Sequence, residues 1–199
     1  MFGCFSPNID VIVPSHLAVI PDASWLETPG HLLTTSQWCL DKGIGELSFF
    51  AWPLDFWETQ DITKLATFLK TLKSKQDISF QLVSSSKYRL SHELKQKMNQ
   101  LTVPNASLKV YLYISYSFKE DLESVEHTDQ FKHFSKVPSS ATDPDLLICT
   151  GGLYNLSNFC MAHLTKTTML FSSISFDICD NEVWDDLIDT YTTIKTSTL

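Results

Sequence analysis

Three short stretches of the chain carry residues whose types suit phosphate or metal chemistry. Asp22 stands directly after the apolar run Leu17-Ala18-Val19-Ile20-Pro21. A carboxylate there can hold Mg²⁺ through one or two oxygens while a bound diphosphate supplies others, and it can equally cap the next turn. His31, after Pro29-Gly30, offers an imidazole able to polarise a phosphate oxygen or to fill a structural role. Gly151-Gly152 closes the run Leu146-Leu147-Ile148-Cys149-Thr150, and Ser157-Asn158 then opens a segment suited to a helix. Backbone N–H groups left free at such a turn cradle phosphates, although two glycines alone do not define a phosphate loop. Asp55 sits among large apolar groups, and the aromatic stretch Phe49 to Trp57 reads either as a tunnel lining or as ordinary core. No Ser-His-Asp elbow, Walker loop, dinucleotide fingerprint or HExxH occurs, so those chemistries drop out.

The elements that must position these residues alternate along the chain. Short apolar runs predict strands at residues 17–20, 46–51, 78–83, 108–114, 145–150 and 169–174. Between them, a short helix from Gly30 to Cys39 stops near Lys42-Gly43. An amphipathic helix follows Asp61 with Ile62, Leu65, Ala66, Leu69 and Leu72 on one face. Ser91 caps a helix through Leu101, Lys119 to Lys136 is weakly periodic, and the final helix starts near Asn181 and buries Val183, Trp184, Leu187, Ile188 and Tyr191 before fraying from Lys195. Strand and helix in alternation give an α/β fold: one domain, residues 1–199, with a mostly parallel central sheet of about six strands and helices on both faces. In such a sheet ligands gather at the carboxyl ends of the strands, where Asp22 and Gly151-Gly152 fall.

Composition narrows the partners. Fourteen lysines and the single Arg89 face 23 acidic residues, for a formal net charge of -8. No basic field is available to attract nucleic acid. Scarce arginine also counts against tight diphosphate binding, because guanidinium grips phosphate through two parallel hydrogen bonds and lysine supplies a point charge. Five cysteines without CxxC spacing read as reduced, structural thiols. No run approaches membrane-spanning length and the start lacks a signal-peptide pattern, so the expectation is a cytoplasmic chain, with contact at a membrane periphery left open.

Several blocks taken together resemble one family. They are His16-Leu17-Ala18-Val19-Ile20-Pro21-Asp22, Gly30-His31, Trp38-Cys39 with Gly43-Ile44, Phe50-Ala51 with Trp57, and Asp143 to Gly152 with Leu156-Ser157-Asn158-Phe159. In this order they resemble the cis-prenyltransferases, the undecaprenyl diphosphate synthase family. The resemblance implies an α/β sheet with a deep apolar tunnel, dimerisation through the region after the last block, and condensation of isopentenyl diphosphate onto an allylic diphosphate with Mg²⁺. It further implies a metal and catalytic role for Asp22, a catalytic role for His31, and substrate contacts from Trp57, Lys119, Gly151, Gly152, Ser157 and Asn158.

The same comparison shows what has been replaced. Leu26 falls where a diphosphate-binding arginine is expected, Glu58 where another is common, and Cys149 and Asn155 at two arginine positions of the last block. The glutamate that would complete the metal site falls at Thr168. Each lost charge-assisted contact is worth about 1.5–3 kcal/mol, so four losses weaken diphosphate binding by several orders of magnitude. The resulting expectation is a degenerate member, a pseudoenzyme impaired on its own, that acts as a structural accessory subunit and pairs with an active paralogue or with itself. Two alternatives stand beside it: an enzyme with residual or altered prenyl transfer, and a binding protein for an isoprenoid ligand.

Overall fold

β1 (His16–Ile20) is buried along its whole length, as a strand with neighbours on both edges and packing on both faces must be. It lies inside a six-stranded sheet with β2 (Glu46–Pro53), β3 (Ile78–Val83), β4 (Leu108–Tyr116), β5 (Leu146–Cys149) and β6 (Thr168–Phe171), in the order β3-β4-β2-β1-β5-β6. The computed structural model describes residues 10–53, 68–69, 72, 76–84, 92–119, 142–156, 159 and 163–197. Every strand pair is parallel. The chain leaves β1 toward β2 on one side, and β5 returns on the other, so a topological switch point lies between β1 and β5.

The first face of the sheet carries Leu17, Val19, Leu47, Phe49, Val110, Leu112, Leu146 and Ile148. Helices α1 (His31–Asp41), α2 (His92–Leu101) and α3 (Asn181–Ser197) bury their apolar stripes in this core. Trp184, Ile188 and Tyr191 recur at the helical period on α3, and each contributes roughly 1.5–3 kcal/mol by leaving water. α3 continues to Ser197, beyond the expected fraying point at Lys195. Its last turns are tied by hydroxyl bonds such as that from Thr196 Oγ1 to the Thr192 carbonyl, 3.0 Å. α1 ends as its Lys42-Gly43 sequence requires. Gly43 adopts φ +78°, its N–H reaches Leu40 O at 3.1 Å, and the Ile44 N–H reaches Cys39 O at 2.9 Å.

The second face carries Ala18, Ile20, Phe50, Tyr111, Tyr113, Leu147 and Cys149, closed among the described residues by Phe159 and Leu164. Phe50, Tyr113 and Phe159 meet at ring separations of 5.0–6.3 Å. Phe49, Phe50 and Ala51 are therefore core, on alternate faces of β2. β6 ends at Phe171, not at Ile174. Beyond Phe171 the Ser172 and Ile174 carbonyls turn to accept the Gly152 and Gly151 N–H groups. The expected helix after Asp61 lies mostly outside the described residues, as do Asp55, Trp57, Ser157 and Asn158. Leu69 and Leu72 are buried as expected.

Candidate functional site

The register of the two central strands sets the site. Ile20 pairs with Cys149, so the next residues, Asp22 on one strand exit and Thr150-Gly151 on the other, are neighbours at the carboxyl edge. The Asp22 N–H donates to Thr150 Oγ1 (3.1 Å), and that hydroxyl donates back to Asp22 Oδ1 (2.9 Å). Three further donors converge on the same carboxylate: the Phe176 N–H on Oδ1 (2.8 Å), the Ser175 hydroxyl on Oδ2 (2.7 Å), and the Ser24 N–H on Oδ2 (3.3 Å). Asp22 thus caps the short turn Ala23–Leu26 and ties β1, β5 and the loop after β6 together. Burial pushes the carboxyl up, but the hydrogen bonds from Ser175, Phe176, Thr150 and Ser24 outweigh it and hold Asp22 at about 2.

Gly151 is fitted to this arrangement. It lies at φ +64°, and a Cβ there would meet Asp22 Cβ and Cγ at 2.4 Å. Its N–H donates to Ile174 O (2.7 Å) and that of Gly152 to Ser172 O (2.9 Å). The two N–H groups expected to be free for a phosphate are therefore spent within the chain. The Gly-Gly turn serves close approach of strand exits rather than an open cradle.

His31 starts α1 and points at the same loop. Its Nε2–H donates to Cys179 O at 2.6 Å, and its ring stands edge-on to Phe176 at 5.4 Å. Asp22 and His31 therefore both clasp the 172–179 loop, one from β1 and one from α1. Lys119 is exposed three residues past the end of β4, at the same carboxyl edge, and β4 is two strand positions from β1 in the sheet. Thr168 is elsewhere. It opens β6 beside Leu146, about 10 Å back along the strand direction from the Cys149 level that adjoins Asp22. Cys149, at a position where the resemblance expects arginine, is buried against the second-face core, which pushes its thiol up to about 11.

These positions test whether the residues suit Mg²⁺. The ion demands near-octahedral oxygen lone pairs at short range. Both Asp22 oxygens instead face N–H and O–H hydrogens, and Thr168 of the same chain is remote. Among the described residues no three His, Cys, Asp or Glu side chains gather closely enough to hold a metal. The residues present do not fit the ion. Ser175, Phe176 and Thr150 escaped sequence reasoning. For Thr150 a signal existed, because making the first and fifth strands neighbours places it beside Asp22. For Ser175 and Phe176, about 150 positions away, no local pattern does so.

Fold and site together define a class: an all-parallel α/β sheet with a hydrogen-bonded polar cluster at the carboxyl edge of its two central strands. A model of the undecaprenyl diphosphate synthase family matches residues 29–197, and the chain belongs to that family. It is 24% identical over 229 aligned residues to a ditrans,polycis-undecaprenyl-diphosphate synthase, specific for (2E,6E)-farnesyl diphosphate, of Xanthomonas axonopodis, covering 93% of this chain and 88% of that one. To the enzyme of the same name from Francisella tularensis it is 29% identical over 202 residues, covering 80% and 77%. Among solved structures, a probable undecaprenyl diphosphate synthase from Campylobacter jejuni superposes with TM-score 0.67 at 18% identity, and lavandulyl diphosphate synthase from Lavandula x intermedia, in complex with dimethylallyl diphosphate, with TM-score 0.69 at 19%. Each alignment covers 90% of this chain and 95% of the other. These two likenesses bear on the fold.

Proposed function

We propose that this chain is a non-catalytic member of its family that acts as an accessory subunit, pairing with an active prenyl diphosphate synthase and supporting it structurally. The observation that carries this reading is the Asp22 carboxylate, engaged by four donors from its own chain. A carboxylate so engaged is a poor ligand for a hard cation, and the carboxylate partner expected at Thr168 is absent. With Leu26, Glu58, Cys149 and Asn155 in place of arginines, the grip on two diphosphates is also missing.

Pairing is supported at the edge of the sheet. Met169 and Phe171 of β6 stand in register with the buried Leu147 and Cys149, yet Phe171 is 43% exposed. Tyr154, 75% exposed, lies against it at 5.9 Å. An apolar ribbon along an edge strand marks an interaction surface. It falls in the region after the Gly-Gly block through which the resemblance implies dimerisation. A symmetric dimer fold admits a degenerate copy in place of one partner with few new contacts. Co-expression with an active family member from the same cell tests this. The expected result is co-purification and a rise in the partner's turnover; two separate species at micromolar concentration, with unchanged turnover, refute it.

A further inference from the structure

A second polar cluster lies at the opposite, amino edge of the sheet and takes no part in the site. His16 opens β1 and is 2% exposed. Its Nδ1 is 2.7 Å from Thr142 O, 3.3 Å from Thr142 Oγ1 and 3.4 Å from Glu46 Oε2. A carbonyl oxygen only accepts, so Nδ1 carries the proton and Nε2, 2.9 Å from Ser48 Oγ, receives the serine hydroxyl. Glu46 Oε2 in turn accepts from the Thr142 N–H and hydroxyl, both at 2.9 Å. Asp145 Oδ2 accepts from the Ser15 and His16 N–H groups at 2.8 and 3.1 Å and from the Ser15 hydroxyl at 2.6 Å.

We propose that His16, Glu46 and Thr142 form a proton-operated clasp that fastens the 142–145 segment, and with it the entry to β5, to the amino edge of β1 and β2. In the closed state the imidazole is neutral and both ring nitrogens are matched. Uptake of a proton at Nε2 turns the Ser48 contact around, since that nitrogen becomes a donor and the hydroxyl must present its oxygen. It also places a cation where water does not reach. Burial lowers the affinity of the ring for a proton, against the pull of Glu46, the Thr142 carbonyl, Asp145 and Asp143. Among the described residues, the other charged and titratable groups around the cluster are Lys109 of β4, 3.7 Å from Glu46 Oε1, Tyr111, whose hydroxyl donates to the same oxygen at 3.3 Å, His163, paired with Asp143 at 2.6 Å, and Tyr191 of α3, whose phenol is pushed up by burial and by the charge of Asp145. Lys109 and Tyr111 hold part of the Glu46 charge, so the carboxylate offsets the burial of an imidazolium only in part.

The sign follows from linkage. The unfolded chain binds the His16 proton near 6.5 and the folded chain at lower pH. Between those values the unfolded state holds more protons, and stability falls as pH falls. For one proton the unfolding equilibrium constant rises by at most about tenfold per pH unit in that window.

Long-range ¹⁵N–¹H spectra of the full chain with labelled histidine, together with urea unfolding between pH 7.5 and 5, test the clasp. The expected spectrum shows His16 as the Nδ1–H tautomer at pH 7.5, titrating below 6.5. In His16→Asn the side-chain amide keeps a donor toward Thr142 but cannot take up the proton, so the wild-type loss of stability below pH 6.5 is reduced. In Glu46→Gln the His16 titration moves to still lower pH. A His16 ring in the Nε2–H form, or one titrating at or above 6.5, overturns the proposal. So do parallel pH profiles for wild type and His16→Asn. The wild-type spectrum decides the question even where a variant does not fold.

Discussion

Replacing Asp22 by alanine separates a structural clasp from a metal ligand. The fall of the carboxyl from its ordinary 3.8 to about 2 corresponds to roughly 2.4 kcal/mol of preference for the charged form. The group is partly exposed, so screening reduces this to about 1.5 kcal/mol. Asp22→Ala also leaves the buried Thr150 hydroxyl and the Phe176 N–H without their acceptor, at a cost of about 1–3 kcal/mol where water does not replace it. Both figures describe the same hydrogen bonds, seen from the acceptor and from the donors, so the loss is about 2 kcal/mol in all and lowers Tm by about 4–8 °C for a chain of this size. Hydrogen exchange should quicken at Phe176 and Gly151, whose N–H groups are held by the clasp or beside it. Differential scanning fluorimetry of wild type and Asp22→Ala, in buffer without added metal, reads the effect. A Tm change under about 2 °C, with exchange at Phe176 unaltered, refutes the reasoning, because removing a carboxylate that merely awaits a cation relieves charge and costs little.

Further expectations follow from the same geometry. Gly151→Ala places a Cβ against Asp22 and forces alanine to a positive φ, itself worth about 1–2 kcal/mol; urea denaturation should show a loss at least as large as that of Asp22→Ala. The charge-dependent contribution of Asp22 is fully present above about pH 4 and is lost as pH falls from 3.8 toward 2, so the acid limb of wild type should be steeper there than that of Asp22→Ala in pH-jump fluorescence. Phe171→Glu alters an exposed ribbon residue; Tm should stay within about 2 °C while co-elution with the active partner disappears. Lys42 and Asp185 form a half-exposed ion pair at 2.7 Å, and Asp185 also accepts from Trp38 Nε1 at 2.9 Å. Lys42→Ala should therefore cost about 0.5 kcal/mol and Asp185→Ala about 1–1.5 kcal/mol in chemical denaturation.

Much of the fold could be read from pattern, because apolar runs and helical stripes are local. All six strands lie where such runs occur, and α3 shows Trp184, Ile188 and Tyr191 at the spacing that buries them. The short reach of β6 could not be read. Met169 to Ile174 is one apolar-rich stretch, and its bend after Phe171 depends on carbonyls of Ser172 and Ile174 meeting N–H groups from Gly152 and Gly151. The site was legible as a list of positions, with Asp22, His31 and Gly151-Gly152 drawn to one loop and edge. What each one does there was not. Asp22 could hold a cation or cap a turn, and the choice is made by Ser175 and Phe176, about 150 residues away. The amino-edge cluster of His16, Glu46 and Thr142 was invisible for the same reason, since polar residues at strand ends look like ordinary boundaries until topology stacks them.

The most direct test of the central claim is a prenyl-transfer assay of the purified chain alone. Labelled isopentenyl diphosphate is supplied with an allylic diphosphate and Mg²⁺, and extracted product is counted. The account predicts no polyprenyl product above a blank without protein. Product that forms with the chain alone and disappears in Asp22→Ala, with the variant shown by its Tm to be folded, contradicts it.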